Sequence, residues 1–155
     1  MVEKYTHIYP AALYRSLLAE APTEADLWCG KIPNSYGNYP SGNDFIDLFA
    51  GLIRKYGYRP IVFYAKVMGV NPRHFTGAII AITGMEARQW LHRYLNLAVC
   101  ELIEKTDWSL TRIARRLNFS SVSFSRFFKL MNKCQPHEYM TLKRYGKKWT
   151  YHYNE

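Results

Sequence analysis

Two short amphipathic segments separated by a tight turn constrain the fold of this 155-residue chain more than any other feature. Apolar residues recur at helical spacing over residues 110–117 and again over 124–131, which predicts two helices that each bury one face. Ser109 can cap the first helix, and Asn118 tolerates the positive φ that a tight turn between helices often requires. The pattern is typical of a helix-turn-helix whose second helix can enter a DNA major groove.

The residues around this turn also occur in a characteristic order. The order is Ile113-Ala114, Asn118-Phe119, Phe124-Ser125-Arg126-Phe127-Phe128-Lys129, Pro136 and Glu138-Tyr139. It resembles the second helix-turn-helix of AraC/XylS-type transcriptional regulators, and the resemblance extends over residues 44–145. It implies a bipartite DNA-binding domain that reads an asymmetric site.

Two positions depart from the family pattern. The interval from Phe119 to Phe124 is one residue shorter than usual, where base-contacting residues normally lie. Lys133 replaces the glycine that normally ends the recognition helix, and a lysine in a left-handed cap costs on the order of 1 kcal/mol relative to glycine. Asn132 is the alternative residue for that conformation.

The same pattern occurs 49 residues earlier in the chain, without a gap. Tyr64-Ala65 corresponds to Ile113-Ala114, and Trp90 corresponds to Tyr139. This repeat predicts a first helix-turn-helix at about residues 60–83, and the second lies at about 109–132. Two copies indicate a duplicated module rather than a solenoid, which needs at least three.

The segment 86–105 carries an apolar stripe at helical spacing and is predicted to be one linker helix. Its twenty residues would span roughly 30 Å, close to the roughly 34 Å between successive major grooves. We therefore expect an all-α fold with two homeodomain-like helix-turn-helix subdomains joined by a long linker helix. Two recognition helices could then enter successive major grooves without a dimer.

The residues before and after this domain have a different composition. A short helix entered through Pro10 is expected within residues 1–20, and the Pro-, Gly- and aromatic-rich stretch 21–43 is expected to be irregular. We interpret 1–43 as a short N-terminal appendage that folds over the main body or contacts a partner. A helix over 44–56, with Phe45, Leu48, Phe49, Leu52, Ile53 and Tyr56 on one face, then opens the 44–145 domain, with Asn43 or Asp44 as its cap and Gly57 at its end. Residues 146–155 form a basic tail, solvated or in contact with phosphates.

The net charge of +9 is concentrated near the second motif. Residues 106–155 carry ten basic and three acidic groups, whereas residues 1–43 carry three and four. A basic surface around a recognition helix favours phosphate binding over a merely solvated face.

Candidate DNA contacts follow from these positions. Arg126 is the foremost, because a guanidinium can chelate guanine O6 and N7. Each of the three serines could equally act as a cap or contact a phosphate. The residues expected to contact bases or the groove are Arg73, His74, Thr76, Ser121, Ser123, Ser125, Arg126 and Lys129. The residues expected to contact phosphates are Arg112, Arg115, Arg116, Lys143 and Arg144.

The first recognition helix could instead serve mainly to pack. Gly77 and Ile80 stand where family members tend to carry arginine and lysine. The aromatic residues of the second motif follow the apolar stripe, so they are predicted to be core rather than a stacking platform. They are Trp108, Phe119, Phe124, Phe127, Phe128 and Tyr139.

Other functions have weaker support in the sequence. A diverged helix-turn-helix acting in protein–protein interaction is the alternative to sequence-specific DNA binding and regulation of transcription. No catalytic or metal motif and no cofactor site is found, so an enzyme is not expected. Cys29, Cys100 and Cys134 are far apart and are expected to be buried free thiols. Without an apolar signal core or membrane span, we expect a bacterial cytoplasmic, nucleoid-associated protein whose partners are double-stranded DNA and RNA polymerase or another regulator.

Overall fold

The computed structural model describes residues 7–19, 22 and 24–146, and within them every regular element is an α-helix. The all-α prediction is confirmed. The helices are α1 Pro10–Leu13, α2 Glu24–Trp28, α3 Asp44–Tyr56, α4 Ile61–Val67, α5 Pro72–Thr83, α6 Ala87–Lys105, α7 Leu110–Arg116, α8 Ser121–Asn132 and α9 Pro136–Tyr145.

The internal repeat extends well beyond the two motifs. Helices α4 and α5 begin and end 49 residues before α7 and α8. Helix α3 is matched at the same offset by residues 93–105, the second part of α6, and α9 begins 49 residues after α6. The chain divides into two compact units between Leu95 and Asn96, within α6. One continuous helix therefore supplies the last helix of the first copy and the first helix of the second.

The core of the first unit is built from aromatic rings. The Phe49 ring lies 5.1 Å from that of Phe75 and 5.6 Å from that of Trp90, centroid to centroid. All three side chains are fully buried. The Tyr64 hydroxyl donates to the Gly57 carbonyl, and burial raises the pKa of Tyr64 well above its usual value, so this donor stays protonated.

The N-terminal segment packs on the first unit. The Trp90 indole donates to the Ile8 carbonyl at 2.8 Å, and Arg54 Nη1 donates to the Arg15 carbonyl at 2.6 Å. Leu13 is fully buried, and a Cβ added at Gly51 would overlap the Cβ of Tyr36, so the segment crosses α3 closely.

The predicted N-terminal helix is shorter than expected. Within the described residues it forms over Pro10–Leu13. The stretch expected to be irregular contains one short helix, Glu24–Trp28. The basic tail is described only at Gly146.

Helix α3 has the predicted ends, and Phe49 and Ile53 are buried as expected, but the rest of its buried face differs from the prediction. Asn43 accepts a hydrogen bond from the Ile46 N–H, and Gly57 ends the helix with φ 75°. Ile46 and Ala50 are fully buried, whereas Leu48 and Leu52 are only half-buried. Apolar residues occur around much of this helix, so helical spacing alone did not identify which of them face the core.

The second unit is packed around phenylalanines. Phe119, Phe124, Phe127 and Phe128 are buried as predicted, and the Phe119 and Phe127 rings lie 4.9 Å apart. Trp108 and Tyr139, also predicted as core, are only half-buried. The Tyr139 hydroxyl donates to the Glu104 carboxylate, and burial together with this bond raises its pKa, so it remains a donor that joins α9 to α6.

The turns of the second motif use two residues with positive φ. Asn118 has φ 65°, as its place in the turn predicts, and its counterpart 49 residues earlier is Gly69 with φ 71°. Lys133 itself adopts φ 64° after α8, whereas Asn132 remains the last helical residue. The alternative of Asn132 in that conformation was therefore wrong, because the Asn132 side chain bonds Asn96 from within the helix.

The cysteines are free thiols, but the expectation that all three are buried was wrong. Cys29 is exposed on the N-terminal segment, and Cys100 and Cys134 are half-buried. Burial raises the pKa of the Cys100 and Cys134 thiols. Both thiols are therefore held in the protonated, less nucleophilic form.

Candidate nucleic-acid interface

The exposed face of α8 is mainly polar and basic, with two exposed apolar side chains. Phe124, Phe127 and Phe128 fix the helix by its buried face, which leaves a continuous outer stripe. The exposed residues of that stripe are Ser121, Val122, Ser125, Arg126, Lys129 and Leu130. Four of the five residues predicted on this helix are therefore available to a ligand.

Ser123 differs from the other serines of α8. It is half-buried, its hydroxyl interacts with Ser120, and the two residues form a reciprocal capping box. Its N–H donates to Ser120 Oγ at 3.1 Å. These bonds stabilise the first turn of the recognition helix, so the Ser123 hydroxyl already has structural partners.

Val122 is a potential contact that the sequence-based prediction missed. It is 65% exposed in the first turn of α8, between the two capping-box residues Ser120 and Ser123. An aliphatic side chain at such a position can contact a thymine methyl group. The sequence could have revealed this contact, because Val122 falls on the outer stripe of α8 and not on the buried apolar stripe.

The scaffold helix α7 presents three exposed arginines, Arg112, Arg115 and Arg116. Ser109 caps the helix by accepting from the Arg112 N–H, as predicted. The Arg112 guanidinium lies 3.9 Å from the centroid of the Trp108 ring, which holds it in a defined orientation. Helix α7 itself contains no acidic residue.

The two basic residues of α9 have different environments. The Lys143 ammonium is exposed and lies 5.4 Å from the Tyr139 ring centroid. Arg144 donates from Nε to the Ile103 carbonyl at 2.7 Å and from Nη2 to the Trp108 carbonyl at 2.8 Å. Arg144 therefore joins α9 to the last turn of α6 and to the loop before α7, and its bond to Ile103 satisfies a carbonyl that the helix end leaves open.

The exposed face of α5 is much less charged. The Asn71 side chain caps the helix by accepting from the Arg73 N–H, and Pro72 occupies the first helical position. Arg73 and His74 are exposed, but the half-buried Thr76 donates its hydroxyl to the Arg73 carbonyl. Further along, the outer stripe consists of Gly77, Ile80 and Ala81.

Lys66 is a second residue that the sequence-based prediction missed. It is exposed on α4, and it corresponds to Arg115 at the 49-residue offset. Both scaffold helices thus carry a cation at the same position. The repeat itself could have revealed it.

The described residues contain no group of three or more His, Cys, Asp or Glu side chains that could hold a metal ion. In the part of the chain with a described structure, no helix is both long and apolar enough to span a membrane.

Comparison with known proteins identifies the family. A family model described as a helix-turn-helix domain matches residues 64–141, which is half of the chain and covers most of the first motif and all of the second. This chain belongs to the AraC-type helix-turn-helix family. The family consists of DNA-binding transcription regulators rather than enzymes, and double-stranded DNA is the ligand class that it implies.

A solved structure shares the fold of this AraC-type chain. It is the C-terminal domain of AraT, a response regulator from Geobacillus stearothermophilus, with a TM-score of 0.57 and 19% sequence identity. The match covers 65% of this chain and 87% of the AraT domain. No curated protein matches the chain in sequence.

Proposed function

We propose that this protein binds double-stranded DNA sequence-specifically and regulates transcription, with α5 and α8 as its recognition helices. The observation that carries the proposal is the outer face of α8, where Arg126 and Lys129 are exposed directly opposite a buried phenylalanine face. A helix fixed in this way can present its polar residues to the major groove without rearrangement.

The proposed contacts fall into two classes. Arg126 reads a guanine through two hydrogen bonds, and Ser121, Ser125 and Val122 contact neighbouring base edges. The scaffold arginines, joined by Lys66 and Lys143, bind phosphates and so set the register of the helices on the duplex. Ser123 and Arg144 support the fold rather than the DNA.

Two recognition helices in one chain would read two successive major grooves of an asymmetric site as a monomer. The support is the duplication, since each copy places a capped recognition helix at the same position of its unit. RNA polymerase or another regulator would then be a partner that contacts the DNA-bound protein.

One observation favours the alternative of a protein-interaction module. Ile80 is 50% exposed on α5, beside Gly77 and Ala81, so this helix offers an apolar rather than a basic surface. Such a surface suits a protein partner better than a phosphate backbone.

Fluorescence anisotropy with a randomised duplex pool, titrated from about 50 to 200 mM salt, tests the proposal. We expect the logarithm of the affinity to fall with the logarithm of salt by about 0.9 for each phosphate neutralised. Arg115→Ala should weaken all duplexes alike and reduce this slope by about one contact, whereas Arg126→Ala should relax base preference by about 1–3 kcal/mol. Lys31→Ala, which removes an exposed charge outside both motifs, is the matched control.

Absence of duplex binding at low salt would refute the proposal. Equal behaviour of Arg115→Ala, Arg126→Ala and Lys31→Ala would show that net charge, not the second motif, governs binding. Either result would favour the interaction module.

A further inference from the structure

A cleft of about 420 Å³ lies in the first unit, between the start of α4 and the first turns of α6. Four polar or cationic side chains line it, Tyr58, Arg59, Arg88 and His92, and no acidic residue does. It is separate in sequence from the recognition helices, and none of the residues to which we assign DNA contacts lines it.

The arginines of the cleft lack charge partners within the described residues. The Arg59 Nε–H is buried and has no hydrogen-bond partner there, while its guanidinium lies 4.7 Å from the centroid of the Phe63 ring. Arg88 and His92 are one turn apart on α6 and so share a face. A buried donor without an acceptor is unfavourable, so a small shift of the Arg59 side chain that let it donate to an anion in the cleft would be favourable.

The pKa of His92 is sensitive to the charges that line the cleft. Burial and the neighbouring Arg88 lower its pKa, so the imidazole is neutral where the arginines are charged. Its ring lies 5.9 Å from that of Tyr58, at the wall of the cleft. A bound anion would reverse the influence of Arg88 and raise the pKa of His92.

The remaining walls are apolar. Pro60, Ile61 and Leu91 face the cleft, and its volume is within the range of small-molecule sites. Arginine forks match the two oxygens of a carboxylate, and apolar walls match an organic body better than a bare inorganic ion.

The second unit shows that the fold does not require these cations. At the 49-residue offset, Arg59 is replaced by Trp108 and Arg88 by His137, while Tyr58 is replaced by Asp107. If these arginines bound phosphate as a general property of the repeated module, the second copy would carry them as well. The arginine pair is instead specific to the first unit.

We propose that this cleft binds a small organic carboxylate, held by Arg59 and Arg88 at its charged end and by Ile61 and Leu91 along its body. The site goes beyond DNA binding, since it gives the regulator a place for a small-molecule effector within its helix-turn-helix domain.

The test is an NMR titration of the full chain with benzoate, to roughly 20 mM, which detects dissociation constants in the millimolar range. We expect saturable shifts at residues 58–62 and 88–92 and a rise in the titration midpoint of the His92 ring, assigned with the His92→Gln variant. Arg59→Gln and Arg88→Gln should each weaken the response about tenfold or more. Arg93→Gln, an exposed arginine on the same helix outside the cleft, should leave it unchanged.

Benzyl alcohol, which lacks the charge, should produce no such shifts. Loss of the response in Arg93→Gln to the same degree would overturn the proposal, as would no saturable shift with benzoate. Binding of inorganic phosphate alone, with benzoate silent, would overturn the carboxylate assignment. If duplex DNA shifts the same resonances and excludes benzoate, the cleft belongs to the DNA interface instead. Circular dichroism of each variant separates misfolding from lost binding.

Discussion

The two helix-turn-helix motifs share their backbone and differ in their outer surface. Residues 49 positions apart have the same structural role at the start of the recognition helices, where Asn71 and Ser120 are the caps. They differ on the recognition helices, where Gly77 and Ile80 correspond to Arg126 and Lys129. Buried and left-handed positions are constrained by packing, whereas exposed positions are free to acquire or lose a ligand. Both copies thus have the same scaffold, but only the second has a basic recognition helix.

Transfer of the basic surface to the first motif gives the largest expected effect. Gly77→Arg with Ile80→Lys places on α5 the cations of α8, and a Cβ added at Gly77 meets nothing within 4 Å. If α5 lies in a groove, duplex affinity at low salt should rise about tenfold or more, and the salt slope should increase by about 0.9 for each new phosphate contact. Anisotropy titration measures both quantities.

The control for this variant carries the same added charge elsewhere. Leu27→Lys with Ile32→Lys alters two exposed residues of the N-terminal segment, 59% and 53% exposed. An equal gain in this control, or no gain on α5, would mean that the first motif does not face DNA.

Substitutions at the residues that follow the two recognition helices should change the free energy of unfolding in opposite directions. Gly84 and Lys133 correspond at the 49-residue offset and adopt φ 74° and 64°. Gly84→Ala should therefore lower the free energy of unfolding by about 1 kcal/mol, and Lys133→Gly should raise it by up to about 1 kcal/mol. Urea unfolding followed by circular dichroism provides the values. Lys133→Asn, which also tolerates positive φ, separates the conformational effect from glycine itself. A loss of stability in Lys133→Gly would show that its side chain has a structural role that outweighs the strain.

The smallest expected effect concerns the glycine within α5. Gly77→Ala should raise the free energy of unfolding by about 0.5–1 kcal/mol, because alanine restricts the unfolded chain and meets no neighbour. Thermal unfolding detects the change. Gly51→Ala in α3 is the matched control of opposite sign, since its Cβ would overlap Tyr36. Destabilisation by Gly77→Ala would indicate that the backbone there has a close contact after all.

Residues that act locally were predictable from the sequence. The periodic apolar stripe placed α6, where Ala87, Trp90, Leu91 and Tyr94 are all buried as expected. Gly57 ended α3 and Asn118 adopted the positive φ of the turn, both as predicted, because glycine and asparagine tolerate this conformation better than most residues. Arg126 and Lys129 were expected on the outer face of α8 and are exposed there.

Partners far apart in the chain were not predictable. Arg144 was expected to contact phosphate, yet its guanidinium bonds carbonyls about forty residues earlier. Trp90 and Ile8 are joined across 82 residues. Neither bond leaves a trace in local composition.

From the sequence alone, the helices of the two motifs, α3, α6 and the duplication could be predicted, because helical spacing, caps and turn residues act over only a few positions. The tertiary structure showed in addition that the Ser123 and Arg144 side chains form bonds within the protein. It also assembled the Arg59–Arg88 cleft, because only folding brings the start of α4 against α6. Both results depend on contacts between residues far apart in the chain, which no local pattern specifies.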